Sequence, residues 1–229
     1  MKKPVVNYKN FRLSKINDPE FSHLKLLAGW IIYFALYFIT ENFIPAENCY
    51  IVHSKLDDII PFCEIFVIPY VFWYFLIAGS LIYFALYNTD NFKNLMKFII
   101  ITQVVAMAVY IIIPNRQDLR PVEFARDNIF TDIVSLLYFL DTDTNVCPSL
   151  HVAYSIGIAS VWLKEESASK WMKAFVVIAA ILISLSTAFI KQHSIVDAFA
   201  ASILCVFAEL IVFGRYWVFK LGRRVSPDK

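Results

Sequence analysis

Residues 95–113 read LMKFIIITQVVAMAVYIII and are followed directly by Pro114. A run of this length with Lys97 as its only charge is the length that crosses a bilayer as a helix, where about 20 apolar residues span the hydrocarbon core. Proline then stops it, because the ring removes a backbone donor and disfavours helix in the residue before it. Working outward, comparable runs cover Leu26–Ile44, Ile60–Tyr87, Ser149–Leu163, Trp171–Ile190 and Val196–Phe219. The second is over-long and is expected to tilt or break at Pro69. The fourth is short, and fits either a span or a helix buried within the bundle. Together they predict an all-α, polytopic membrane helical bundle of about six transmembrane helices.

Composition agrees. The chain has 229 residues, 59% of them hydrophobic and only 17% charged, with a mean hydropathy of +0.60. A soluble domain is nearer half apolar and about a quarter charged. A soluble core of this length cannot hide so much apolar surface, so lipid is the expected solvent. A net charge of +2 with no Lys/Arg-rich run excludes nucleic acid as a partner. Cys49, Cys63, Cys147 and Cys205 are scattered without CxxC or Cys/His ligand spacing, so no metal site is read. Nothing in the sequence brings Cys49 and Cys147 together as a disulfide. Residues 1–25 are polar and basic, and the first apolar run lacks a small-residue cleavage pattern, so it reads as a retained span.

Charge sets the expected orientation. Lys2, Lys3, Lys9, Arg12, Lys15 and Lys25 precede the first run. Lys93 and Lys97 stand between the second and third, Lys164, Lys170 and Lys173 between the fourth and fifth, and Arg215, Lys220, Arg223 and Arg224 close the chain. Basic loops stay cytoplasmic. The remaining loops, 45–59 and 115–148, are acidic or mixed. The alternation places both termini in the cytoplasm. Residues 1–25 are then an amino-terminal segment, 26–219 one membrane-embedded domain, and 220–229 a basic tail. The 115–148 connection is the longest, and long ordered loops tend to carry function.

Three clusters on the non-cytoplasmic side hold chemistry. His151 follows Pro148-Ser149-Leu150. Ser149 is a good helix cap, and a capped helix start presents backbone N–H groups that bind anions, phosphate included. His193 and Asp197 stand at i and i+4 and share a helix face, so the carboxylate can hold one ring nitrogen and free the other as base or nucleophile. A structural hydrogen-bonded pair is the alternative. Arg120-Pro121, with Arg116 close upstream, supplies planar forks suited to phosphate oxygens; an arginine lying among lipid headgroups is the plainer reading. His23 and His53 read as solvated or interfacial. Glu64 and Glu209 lie inside apolar runs, Glu64 near a helix end.

At these residues the chain resembles the type 2 phosphatidic acid phosphatase superfamily, whose blocks run in the order KxxxxxxRP, PSGH and SRxxxxxHxxxD. The first survives as Arg120-Pro121, the second as Pro148-Ser149-Leu150-His151, and the third as Ser186-Thr187 followed by His193 and Asp197. The resemblance covers about residues 60–215. Ile113 stands where the family has lysine, Leu150 replaces glycine, and Thr187 replaces arginine. Arg116 and Lys191 are the candidates to supply the missing charge. The PSLH form, with Asp141 and Asn145 upstream, looks like the branch that includes inositol phosphorylceramide synthases. The resemblance implies a phosphatase-like domain that acts on a lipid phosphate or diphosphate without metal or other cofactor. His193 would attack phosphorus, Asp197 would orient it, and His151 would protonate the leaving oxygen. Arg120, Arg116, Lys191, Ser149 and Ser186 would bind substrate. Transfer of the phospho-headgroup to an alcohol, or an inactive lipid-binding role, are the alternatives. The implied setting is the plasma (inner) membrane, among membrane lipids, with the active site facing away from the cytoplasm. Homo-oligomerisation stays open.

Overall fold

The structure, a computed structural model, describes residues 3–225, and the side chains of residues 3–220. The expected tail at 220–229 therefore lies mostly outside the described side chains. Eight α-helices occur among the described residues: α1 (Ala28–Phe43), α2 (Lys55–Ile59), α3 (Val67–Tyr87), α4 (Thr89–Ile112), α5 (Ile129–Leu140), α6 (Leu150–Lys164), α7 (Lys170–Phe189) and α8 (Ile195–Val225). Five segments are long and apolar enough to cross a membrane: Ser22–Phe43, Glu64–Tyr87, Thr89–Ile112, Lys170–Phe189 and Ile195–Lys220.

The starts and stops follow local chemistry. Asn88 caps α4 by accepting from Asn91 N–H, and Ser169 caps α7 by accepting from Met172 N–H. Each satisfies one of the orphan donors of a helix start. Pro69 does not break the second run. That helix begins at Val67 after a 3-10 turn over Glu64–Phe66, so Pro69 sits in the first turn, where its missing N–H costs nothing. The excess length of the expected span was loop.

The fourth run is a helix of a different kind. α6 has 15 residues, about 22 Å at 1.5 Å per residue, and it is wrapped by α3, α4, α7 and α8. Ten of its residues are buried, among them Ala153, Ser155, Gly157, Ile158 and Val161. A helix apolar all round belongs in a core. Gly157 allows the approach of α4: a Cβ there would lie 2.6 Å from the Phe98 ring. Trp162 packs on Tyr83 and Phe84 and donates its indole N–H to Ser80 Oγ at 3.0 Å.

The long connection at 115–148, expected as loop, contains α5 and one short strand. Asn128 starts α5 with a capping box to Thr131. Asn115–Arg116 (β2) pairs in parallel with Tyr50–Ile51 (β1), fastening the two acidic connections together. His23, expected at the surface, is buried, bonded to Tyr8 Oη at 2.6 Å and set edge-on to Phe92.

Six helices, α1, α3, α4, α6, α7 and α8, run alternately up and down the bundle. The ends of α1, α4 and α7 therefore meet the starts of α3, α6 and α8 at one end of the bundle. Lys93, Lys97, Lys164, Lys170 and Lys173 lie at the opposite end, where the amino-terminal segment also packs, Val5 N–H donating to Leu86 C=O at 2.7 Å.

Candidate active site

The turn from α7 to α8 builds the first half of the site. Thr187 C=O accepts from the N–H groups of Gln192 and His193 at 2.9 and 3.0 Å, and Lys191 turns the chain with φ of 55°. Ser194 then caps α8, its Oγ accepting from Val196 N–H at 3.1 Å. Asp197 returns the favour: its Oδ2 accepts from Ser194 N–H at 3.0 Å and faces His193 Nδ1 at 3.1 Å. A carboxylate only accepts, so Nδ1 donates to it, and Nε2 is the ring nitrogen turned toward His151. The i, i+4 pair expected from the sequence is formed, with Asp197 fully buried.

The second half comes from α6. Ser149 caps that helix, accepting from Val152 N–H, and its own N–H donates to Asp197 C=O at 3.2 Å. This bond ties the start of α6 to the first turn of α8. Tyr110 Oη donates to Pro148 C=O at 2.8 Å and holds the preceding turn. His151 packs against the Trp73 and Tyr70 rings, with centroids 4.1 and 4.5 Å away. Its Nδ1 lies 3.4 Å from His193 Nε2. Its Nε2 has no hydrogen-bond partner among the described residues.

The basic residues sit elsewhere. Arg120 donates to the carbonyls of Tyr138, Asp141 and Thr142 and to Gln192 Oε1, at 2.6–3.1 Å, and stacks 4.5 Å over the Tyr138 ring. It bonds neither histidine; its side-chain partner Gln192 precedes His193 in the chain and bonds Tyr70 and Asp141. Arg116 approaches Asp143 at 3.8 Å. Lys191 Nζ donates to the carbonyls of Asp57 and Ile60 at 2.8 and 2.6 Å. It faces a separate acidic cavity with His53, Asp58 and Asp118. Burial lowers the Lys191 pKa from its ordinary value, against the opposing pull of Asp57 and Asp58. Ser186 is buried in α7 and donates to Ile183 C=O at 2.6 Å. Of the expected site residues, the structure thus brings together His193, Asp197, His151 and Ser149. It does not bring Arg116, Lys191 or Ser186 to them.

Other residues occupy the space instead. Asp141, which ends α5, accepts from Tyr37 and Tyr70 hydroxyls at 3.4 Å and from Gln192 Nε2 at 3.3 Å. Removal from water raises its carboxyl pKa above the usual range, although the His193 and Arg120 charges pull it down. Asp57 of α2 accepts from Ser194 Oγ at 2.6 Å and Ile195 N–H at 2.8 Å, so two carboxylates complement the positive end of α8. Burial first, and Asp197 second, push the Cys147 thiol up to about 12. Tyr70 and Trp73 are i and i+3 on α3, a spacing visible in the sequence. Nothing local marks Asp57, which acts 137 residues from its partner.

His151, His193, Gln192 and Asp141 line the mouth of a cavity of about 640 Å³ that runs between α1 and α3. No Lys or Arg is among its lining residues. Comparison of the chain with protein-family models, with curated proteins and with solved structures finds no match. The described residues contain no group of three or more His, Cys, Asp and Glu placed to hold a metal ion.

Proposed function

We propose that the chain is a membrane enzyme that moves the phosphoryl group of a lipid phosphate through a phosphohistidine, as its resemblance to the type 2 phosphatidic acid phosphatases implies. The observation that carries this reading is the approach of His193 Nε2 to His151 at 3.4 Å, with Asp197 behind His193, at the mouth of an apolar cavity. The histidine that attacks is held in one tautomer by Asp197, which also stabilises the imidazolium form created on attack. His193 Nε2 bonds to phosphorus as the ester P–O bond breaks. His151 gives the leaving oxygen its proton. In the second step His151 removes a proton from water as its oxygen bonds to phosphorus and the P–N bond breaks. An alcohol in place of water makes the same chemistry a headgroup transfer. The positive end of α6, which begins next to Ser149, supplies part of the anion binding, and Arg120 acts through Gln192.

The proposed orientation puts the histidines on the non-cytoplasmic face of the plasma membrane and both termini inside. The lysine-bearing ends of α4, α6 and α7 lie at the opposite end of the bundle, which fits the positive-inside rule. α6 is then the fourth of six passes, enclosed by protein, where a short helix needs no lipid match.

Purified protein incubated with lipid phosphates in the presence of EDTA is expected to release phosphate and to form an acid-labile phosphoenzyme. Both signals vanish in His193→Ala. Retention of even a tenth of the activity in that variant would overturn the mechanism. A second reading, an inactive lipid-binding relative, rests on Arg120 and Lys191 being engaged by backbone carbonyls. Phosphate release from any lipid eliminates it.

A further inference from the structure

The cavity below the histidines is far larger than a phosphate needs, and its walls lie at the depth of the membrane spans. Tyr37, Phe34, Trp30 and Leu27 line it in descending order along the first span, and Trp73, Ile77, Ala78 and Leu81 along the facing side of α3. From Tyr37 to Leu27 is ten residues, so the cavity descends about 15 Å from the histidine level at 1.5 Å per residue. Its carboxylate, amide, threonine and imidazole side chains, Asp141, Thr142, Thr144, Asn145, Gln192 and the two histidines, gather at the mouth; Tyr33 and Tyr154 add phenol rings to an otherwise mostly apolar wall, and Leu27 and Leu81 stand at the far end. α1 and α3 both pack on α4 but hardly on each other, which leaves a slot between them. α1 is also the least enclosed of the candidate spans, with 11% of its window buried. It is fastened at the mouth, where Glu41 accepts from the Thr144 hydroxyl at 2.7 Å and from Thr142 and Asn145.

We infer that this cavity is the seat of one hydrocarbon tail of the substrate, which enters sideways from the bilayer between α1 and α3 and lies inside the protein with its end near Leu27 and Leu81. A polar mouth above an apolar shaft matches an amphiphile held by its headgroup at the histidines. The seat rests on the proposed function for the identity of the headgroup, and on its own lining for the tail. Each buried methylene contributes about 0.8 kcal/mol, so shortening the seat by two of them costs about tenfold in affinity. Ala78 is exposed on the cavity wall, so a larger side chain there extends into the cavity rather than into core.

The test is photolabelling of the full chain in nanodiscs with dodecyl phosphate bearing a terminal diazirine, mapped by mass spectrometry. Labels are expected on Leu27 and Leu81, competed by unlabelled dodecyl phosphate and not by butyl phosphate. Ala78→Trp should reduce these labels about tenfold while labels on the outward-facing Ile31, Phe75 and Ile82, which are 73%, 68% and 61% exposed, persist and show that the protein is folded in lipid. Labels confined to those outward residues, or floor labels that Ala78→Trp leaves unchanged, would overturn the seat. Floor labelling without phosphate release would keep the seat and remove the catalytic reading; release without floor labelling would do the reverse.

Discussion

Asp197 accepts from both His193 and the Ser194 backbone through the same oxygen, Oδ2. Removing its charge while keeping its shape therefore separates orientation from folding. Asp197→Asn can still accept through its amide oxygen, but in the proposed mechanism it no longer stabilises the imidazolium form of His193. On the proposed function, turnover is expected to fall by about a hundredfold or more, in the range of lost acid–base catalysis, with little change in thermal stability; steady-state assays and a melting curve check the two halves. Arg120 presents the opposite case. Its guanidinium satisfies three carbonyls at the end of α5 and holds Gln192. Arg120→Ala leaves those acceptors without their donor and is expected to destabilise the protein by about 2–3 kcal/mol, read as a lowered melting temperature in detergent. Arg126, whose side chain is 76% exposed beside Glu64, is a control: Glu64 still accepts from Asn128 Nδ2 at 3.2 Å, so Arg126→Ala is expected to lower the melting temperature less.

Among the elements, α6 is both the core and the platform of His151. Gly157→Val forces its side chain into the Phe98 ring, and overpacking of this kind costs about 1–3 kcal/mol. A rise in KM or a fall in kcat beyond the loss of folded protein would show that the α4–α6 spacing also sets the position of His151. At the other end of the bundle, Glu165 accepts from Asn88 Nδ2 at 2.6 Å, from Asn91 Nδ2 at 2.8 Å and from Ser167 N–H at 3.1 Å. Burial alone would raise its pKa, but these hydrogen bonds together outweigh burial and hold the carboxyl down to about 2. A depressed folded value means that the unfolded chain binds the proton first. Glu165 thus contributes stability that is present above its ordinary pKa of 4.5 and is lost as the pH falls toward about 2. Melting temperature measured across that window should drop in the native chain and change less in Glu165→Gln.

For the molecule as a whole, the alternating helices put the connections carrying His53, His151 and His193 at one end and the lysine-rich turns at the other. In a chain whose native cysteines are replaced by alanine, Asn48→Cys should react with a membrane-impermeant maleimide added outside intact cells. Glu166→Cys should react only after the membrane is opened. The reverse pattern would overturn the proposed orientation.

The sequence carried a good part of this. Apolar runs such as 95–113 marked the helices because lipid demands about 20 apolar residues per span, and Pro114 and Ser149 marked ends because capping and proline chemistry are local. The pairing of His193 with Asp197 was legible for the same reason, since i and i+4 share a helix face. The tertiary structure decided what depends on contacts between distant segments. Asp57 caps a helix 137 residues away, Arg120 and Lys191 bond to carbonyls rather than reaching the histidines, α5 takes shape in what reads as loop, and α6 turns inward instead of facing lipid. Side-chain type and spacing state which bonds a residue is able to make. Only the packed chain selects the partner, because that choice depends on which donors and acceptors burial has left competing for it.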